Sequence, residues 1–254
     1  MKKLFYISLL SITLISCAEL ASVVNTGMGA LGSTGVTQQE TAAGLKNALN
    51  IGVDTAVKGL GVQDGFYNDM MLKILLPQEA QSIVKNIQMI PGGKELVNKA
   101  VLSMNRAAED AVKEAAPIFK RAILQMSFSD ALSILFGGDH AATDYLRRTT
   151  YAQLQSAFAP KIQASLDKPL VFNTSTTKSW NTLTSAYNSV ANNPVGAIAG
   201  LQPVNVDLQQ YVTGKALDAL FVKVGEQEKA IRVNPAERVN SLLQRVFGQL
   251  DKRN

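Results

Sequence analysis

Apolar residues recur at three- and four-residue spacing along most of the chain, most regularly over residues 94–126. There Val97, Val101, Met104, Ala108, Ala111, Ala115, Ile118 and Ala122 alternate steps of four and three. Such a stripe is the buried face of a helix, and its alanines allow a second helix to pack closely. Pro117 removes a backbone donor and crowds the preceding turn, so the helix is expected to kink or split near Ala115.

Flanking segments carry their own start and stop signals. Thr37-Gln38-Gln39-Glu40 reads as a capping box, followed by Leu45, Ala48, Leu49, Gly52, Val53 and Ala56 at helical spacing until Gly59 and Gly61. Residues 64–76 show no clear period. Pro77 is placed to open a short helix near residues 78–88, and Pro91-Gly92-Gly93 is a turn. Ser127-Phe128-Ser129-Asp130 is a second capping box, with its helix stopped at Gly137-Gly138. Asp139 is expected to cap the next helix, which carries Ala142, Tyr145 and Leu146. A separate helix is expected over residues 150–166, disturbed at Pro160. Residues 168–175 and 191–205 read as loops around a helix centred on Trp180. Residues 211–231 are helical, and Asn234-Pro235-Ala236-Glu237 is expected to open a last helix carrying Leu243, Val246 and Phe247. Only residues 170–173 resemble a strand. The pattern predicts an all-α, single multi-helix, bundle-like domain with short antiparallel connections over residues 37–254.

The N-terminus departs from this pattern. Lys2 and Lys3 precede an apolar run over residues 4–15, too short to span a bilayer, which needs roughly 20 residues. Leu14-Ile15-Ser16-Cys17 then resembles a lipobox, which implies a cleaved signal peptide over residues 1–16 and a diacylglyceryl group on Cys17. Two acyl chains hold a membrane stably where a single chain does not. Residues 17–36, with Gly27, Gly29, Gly32 and Gly35, read as a flexible tether of about 24 Å root-mean-square span, or alternatively as a short helix over 18–26. Gly27-x-Gly29-x-x-Gly32 matches a dinucleotide fingerprint by letters alone, with no strand before it. Ala18 is not the aspartate that retains lipoproteins in some inner membranes, so an outer-membrane lipoprotein facing the periplasm is expected, with the cell surface as the other address.

Charge and rare residues narrow the chemistry. The formal net charge is +5, and losing Lys2 and Lys3 with a leader leaves 23 basic against 20 acidic residues. The basic residues are interleaved with acidic ones, unlike the clustered footprint of a nucleic-acid binder. Cys17 is the only cysteine and His140 the only histidine. No zinc site of the Cys/His kind can be built, and no metal or cofactor is expected. His140 is expected to be exposed beside a helix cap, with a general base as the alternative. Met70-Met71, Met89, Met104 and Met126 read as core filler.

Several segments resemble a family of bacterial lipoproteins known as domain of unknown function 4197. They are Met104-Asn105-Arg106-Ala107-Ala108-Glu109, Asp130-Ala131, Ile134-Leu135-x-Gly137, Ala142-Thr143-x-Tyr145, Tyr211-Val212-Thr213, Leu220-Phe221, Glu228-x-x-Ile231-Arg232 and Val246-Phe247-Gly248. The resemblance implies a helical lipoprotein and carries no catalytic residue.

Four residues form a candidate polar site: Arg106, Glu109, Glu228 and Arg232. Arg106, Glu109 and Asp110 sit at i,i+3 and i,i+4 spacing, which suits a solvated face of helix-stabilising pairs better than a cleft. Glu228 is different, because it lies within about 40° of the centre of a stripe formed by Leu217, Leu220, Phe221, Val224 and Ile231. A carboxylate there needs a partner, with Arg232 the first choice and Arg106 the second. The function expected is a non-catalytic binding or scaffold domain in the cell envelope, held to the membrane by Cys17. Its partner would be a protein, a peptidoglycan-associated component or lipid. A metal-independent hydrolase using Glu109 or Glu228, or a carrier of an apolar ligand, is the alternative.

Overall fold

A computed structural model describes residues 36–89, 92–169 and 173–251. The expected signal peptide, Cys17, the tether through residue 35, the glycine fingerprint and residues 170–172 of the strand-like pattern lie outside them. The described residues form ten α-helices and no strand. In chain order these are α1 (Gln38–Leu60), α2 (Gln81–Lys85), α3 (Gly93–Ala111), α4 (Ala116–Gln125) and α5 (Phe128–Leu135). They continue with α6 (Ala141–Asp167), α7 (Thr176–Ala191), α8 (Pro194–Ile198), α9 (Leu208–Val233) and α10 (Ser241–Phe247). The chain from Gln38 onward forms one compact unit.

Helix α1 is the axis of the fold, packing against α4, α5, α9 and α10, while α9 also lies along α6 and α3 packs between α6 and α7. The wide buried face of α1 explains how it serves four neighbours. Leu45, Leu49, Val53 and Leu60 are buried beside Ala42, Gly44, Ala48, Gly52 and Ala56, and the small residues let other helices come near. A Cβ at Gly44 would lie 2.6 Å from Cγ2 of Val246 on α10, and one at Gly52 would lie 3.3 Å from Cβ of Gln227 on α9. Gly44→Ala should therefore overpack the α1–α10 contact and cost about 1–3 kcal/mol in a urea melt. An unchanged midpoint would show that α10 is free to shift.

The split at Pro117 occurs where its chemistry requires. Helix α3 ends at Ala111, a 3₁₀ turn covers Val112–Glu114, and α4 begins at Ala116 with the proline in its first turn. The tighter 3₁₀ turn also rotates the register. Met104, Ala108, Ala111 and Ala115 are buried, but beyond the turn Phe119 and Ile123 replace Ile118 and Ala122 in the core.

Other boundaries differ from the sequence pattern. Helix α6 is continuous through Pro160, so the separate helix expected from residue 150 does not exist. The segment after Pro77 is a 3₁₀ turn (Gln78–Ala80), then α2, then a second 3₁₀ turn (Ile87–Met89), not one helix. The short helix α8 lies inside the expected 191–205 loop. Asn234-Pro235-Ala236-Glu237 makes only a 3₁₀ turn, and the last helix starts at Ser241 with Asn240 as its cap. Of the methionines read as core filler, Met104 and Met126 are buried, but Met70 is 94% and Met71 89% exposed.

Candidate functional site

The four candidate residues do not meet in one cleft. They form two clusters that share no hydrogen-bond partner, and each cluster grips backbone.

Glu228 and Arg232, both on α9, make the first. Their side chains are 4% exposed, and Nη2 of Arg232 lies 2.7 Å from Oε1 of Glu228. The same carboxylate accepts hydrogen bonds from the backbone N–H groups of Ala142 and Thr143 at 2.9 and 2.8 Å, and from the Thr143 hydroxyl at 2.8 Å. These are first-turn amides of α6, which a helix cannot satisfy internally. Glu228 therefore caps α6 from another helix, and its charge suits the positive end of the helix dipole. The expected cap, Asp139, instead faces Lys229 at 3.7 Å. His140 occupies the N-cap position without a side-chain bond. It is exposed, with its ring against Gly225.

Arg232 completes the joint from the other side. Its guanidinium donates to the carbonyls of Ile134 and Leu135 at the end of α5, at 2.8 and 2.9 Å, and the Ile134 carbonyl also accepts from the Gly137 N–H. One ion pair thus closes both ends of the 136–140 connection. Beside it lies a cavity of only about 10 Å³, walled by Leu45, Leu49, Val224, Ile231 and Phe247 among others.

The second cluster lies on α3. Glu109 is buried, so the solvated face expected here is not what forms. Its Oε1 accepts from the N–H groups of Phe66 and Tyr67 at 3.2 and 3.3 Å, while Oε2 pairs with Arg106 at 2.6 Å. Arg106 also reaches Asp64 at 2.8 Å. Burial opposes the Arg106 charge, but its bonds to Glu109 and Asp64 outweigh burial and hold it above its ordinary value. Asp110 turns away to Ser165 and Lys168.

Two residues carry equal weight and were not singled out by sequence. Asn105 is fully buried, and its amide clamps both backbone groups of Ile74, at 2.9 Å to the N–H and 2.8 Å to the carbonyl. Its position four residues after Val101 and one after Met104 places it on the core stripe, which was a legible signal. Arg238 is 2% exposed, donates to the carbonyls of Ile231 and Arg232 at the end of α9, and pairs with Asp251 at 2.6 Å. No local pattern marks it.

The α3 cluster holds the irregular segment over residues 61–77, and other elements hold it too. Tyr211 on α9 donates its hydroxyl to the carbonyl of Leu75 at 2.9 Å. Lys223 reaches Asp69 at 3.1 Å, and Asp69 in turn accepts from the N–H groups of Met71 and Leu72. Burial raises the Asp69 carboxyl, but its bonds to Lys223 and to backbone amides leave it below the usual range. Burial, with Glu79 nearby, raises the Tyr211 phenol. Phe66, Leu72, Ile74 and Leu76 are buried beneath this loop. Between the loop and α9 lies an open cleft of about 240 Å³, lined by Met71, Lys73, Leu75, Tyr211, Lys215 and Val222 among others. Among the described residues no three His, Cys, Asp or Glu side chains converge as a metal site. No helix among them is long and apolar enough to cross a membrane.

A family model described as "Protein of unknown function (DUF4197)" matches residues 35–248. The chain belongs to the DUF4197 family. No curated protein and no solved structure matches it. Several of the segments that carry the DUF4197 resemblance coincide with the two joints. Asn105, Arg106, Glu109 and Tyr211 hold the loop, while Ile134-Leu135, Ala142-Thr143, Glu228 and Arg232 hold the α5–α6 connection.

Proposed function

We propose that this DUF4197 protein is a lipid-anchored, non-catalytic binding domain of the cell envelope, and that the loop over residues 61–77 is its binding surface. One observation carries the reading. Four side chains from α3 and α9, Asn105, Glu109, Tyr211 and Lys223, fix a loop whose tip leaves Met70 and Met71 almost wholly exposed. Two adjacent apolar side chains held out in water gain nothing within the domain, whereas a pre-ordered loop gives up little entropy on binding.

The alternatives draw less support. Both oxygens of Glu109 and both of Glu228 already accept bonds from backbone or arginine, whereas a general acid or base must reach substrate. A carrier of an apolar ligand needs an enclosed apolar pocket of roughly 300 Å³ or more. The apolar cavity beside Glu228 holds about 10 Å³, and the open cleft of about 490 Å³ over Ser175, Lys178 and Asn181 is lined by polar side chains.

The anchor is tested by Cys17→Ser, which should move the protein from the membrane fraction to the soluble one with unchanged helical circular dichroism. Sedimentation with membranes after a salt wash would overturn it. The binding surface is tested in intact cells with a photo-crosslinking side chain at Met71 and, for comparison, at exposed Ser185 on α7. Adducts with protein or lipid should form from position 71 and not from 185. None at 71, or equal yields at both, would sink the binding reading.

A further inference from the structure

We infer that the 61–77 loop docks on an anionic bilayer surface, with Met70 and Met71 entering the interface and Lys73 and Lys215 facing lipid phosphates. This rests on the binding reading above and names the partner.

The shape of the tip is the first ground. A side chain exposed to 94%, as Met70 is, touches almost none of its own protein and so protrudes. Met71 is nearly as bare and forms the rim of the cleft rather than its floor. A protruding, unbranched apolar pair suits a soft, flat partner into which it can sink. Leu75 and Val222 continue the apolar surface behind it, at 56% and 46% exposure. Amphipathic surfaces that lie on membranes combine such a face with basic side chains at headgroup level.

Charge is the second ground. Lys73 and Lys215 line the same cleft, and among the described residues neither is paired with a carboxylate. Lys73 Nζ lies 3.6 Å from the centroid of the Tyr67 ring, and Lys215 Nζ lies 5.9 Å from that of Tyr211. The acidic side chains nearby are engaged, Asp218 by Arg147 and Asp69 by Lys223, each pair at about 3 Å. Lys223 also serves Glu226, so Glu226 and Glu79, near Tyr211, are acidic groups left to oppose an anionic surface. Each lysine near an anionic leaflet strengthens association by about fivefold. An anchored N-terminus would keep the domain beside the bilayer, so even this weak contact would be populated through its high effective concentration.

The experiment uses the full chain reconstituted from membranes into vesicles free of other protein. An environment-sensitive fluorophore is placed through Met70→Cys or through Ser185→Cys, and the vesicles carry bromine-labelled acyl chains. Comparing the two positions cancels any label taken up by Cys17. At position 70 in phosphatidylglycerol vesicles the label should be quenched and blue-shifted, while at 185 it should be neither. Lys73→Gln with Lys215→Gln should remove most of that quenching, as should replacing phosphatidylglycerol by a zwitterionic lipid. The changes at Met70, Ser185 and Lys215 are exposed and should leave the melting midpoint unchanged, while Lys73→Gln, half-buried over the Tyr67 ring, should lower it slightly. Equal quenching at both positions, or none at 70, would overturn the bilayer assignment. Adducts to a protein from position 71 without quenching at 70 would leave the binding reading standing and give the loop a protein partner. Absence of both would remove the binding reading itself.

Discussion

Glu228→Ala is expected to lower the unfolding free energy by about 3–5 kcal/mol, because it leaves a buried guanidinium unpaired. Glu226→Ala, two residues away, should move it by less than about 0.5 kcal/mol. Glu226 is half exposed and pairs with Lys223 at 3.1 Å. Glu228 serves Arg232, two amides of α6 and the Thr143 hydroxyl. Its loss orphans donors on two elements, and a buried donor left without a partner costs about 1–3 kcal/mol on its own. Glu228→Gln keeps an acceptor but loses the charge that suits the start of α6, so it should fall between the two. In a double-mutant cycle, Arg232→Met combined with Glu228→Ala should cost clearly less than the sum of the single changes. Simple additivity in chemical denaturation would mean that the two caps act separately and that the joint is not a unit.

Asn105→Ala should cost about 2–5 kcal/mol, since it strands both the N–H and the carbonyl of Ile74 at a site only 1% exposed. It should also make the 61–77 loop the first point of cutting in limited proteolysis, because the clamp joins that loop to α3. Ser103→Ala, two residues earlier on α3, is the control. The Ser103 hydroxyl is buried without a hydrogen-bond partner, so removing it should be neutral or slightly stabilising. A similar loss for both would show that the site responds to packing, with no special role for the amide.

The helical class and most helix starts were legible because each rests on local rules. The Ser127–Asp130 capping box is present with both of its bonds, and the Pro117 split follows from the missing donor. Glu228 was found by the same local arithmetic, since its stripe and its i,i+4 arginine are both written in one helix. What α9 grips was not legible. The amides of Ala142 and Thr143 lie 86 and 85 residues away, and no periodicity encodes such a distance. The same holds for Glu109, which reads as part of a surface pair until the 61–77 loop folds over it. The methionines misled for a related reason. Hydrophobicity predicts burial on average, but Met70 and Met71 sit at a turn that Asp69 caps from within and that Asn105, Tyr211 and Lys223 fix from outside. Pro160 shows tertiary context overriding propensity, because α6, packed against α3, α4 and α9, continues through a residue that would end an isolated helix.

The position of α1 also bears on how the chain acquires its structure. Its face is sealed by α9 and α10, and Arg245 reaches back to Glu40 across 205 residues. Among the described helices, the first to be synthesised must therefore wait for the last. Until residues 241–247 arrive, Leu45, Leu49 and Val53 have no complete cover, so early intermediates expose an apolar stripe that favours chaperone capture or aggregation. Contacts so distant in sequence close slowly. Truncation before residue 241 should yield a chain that is degraded, not a smaller stable core.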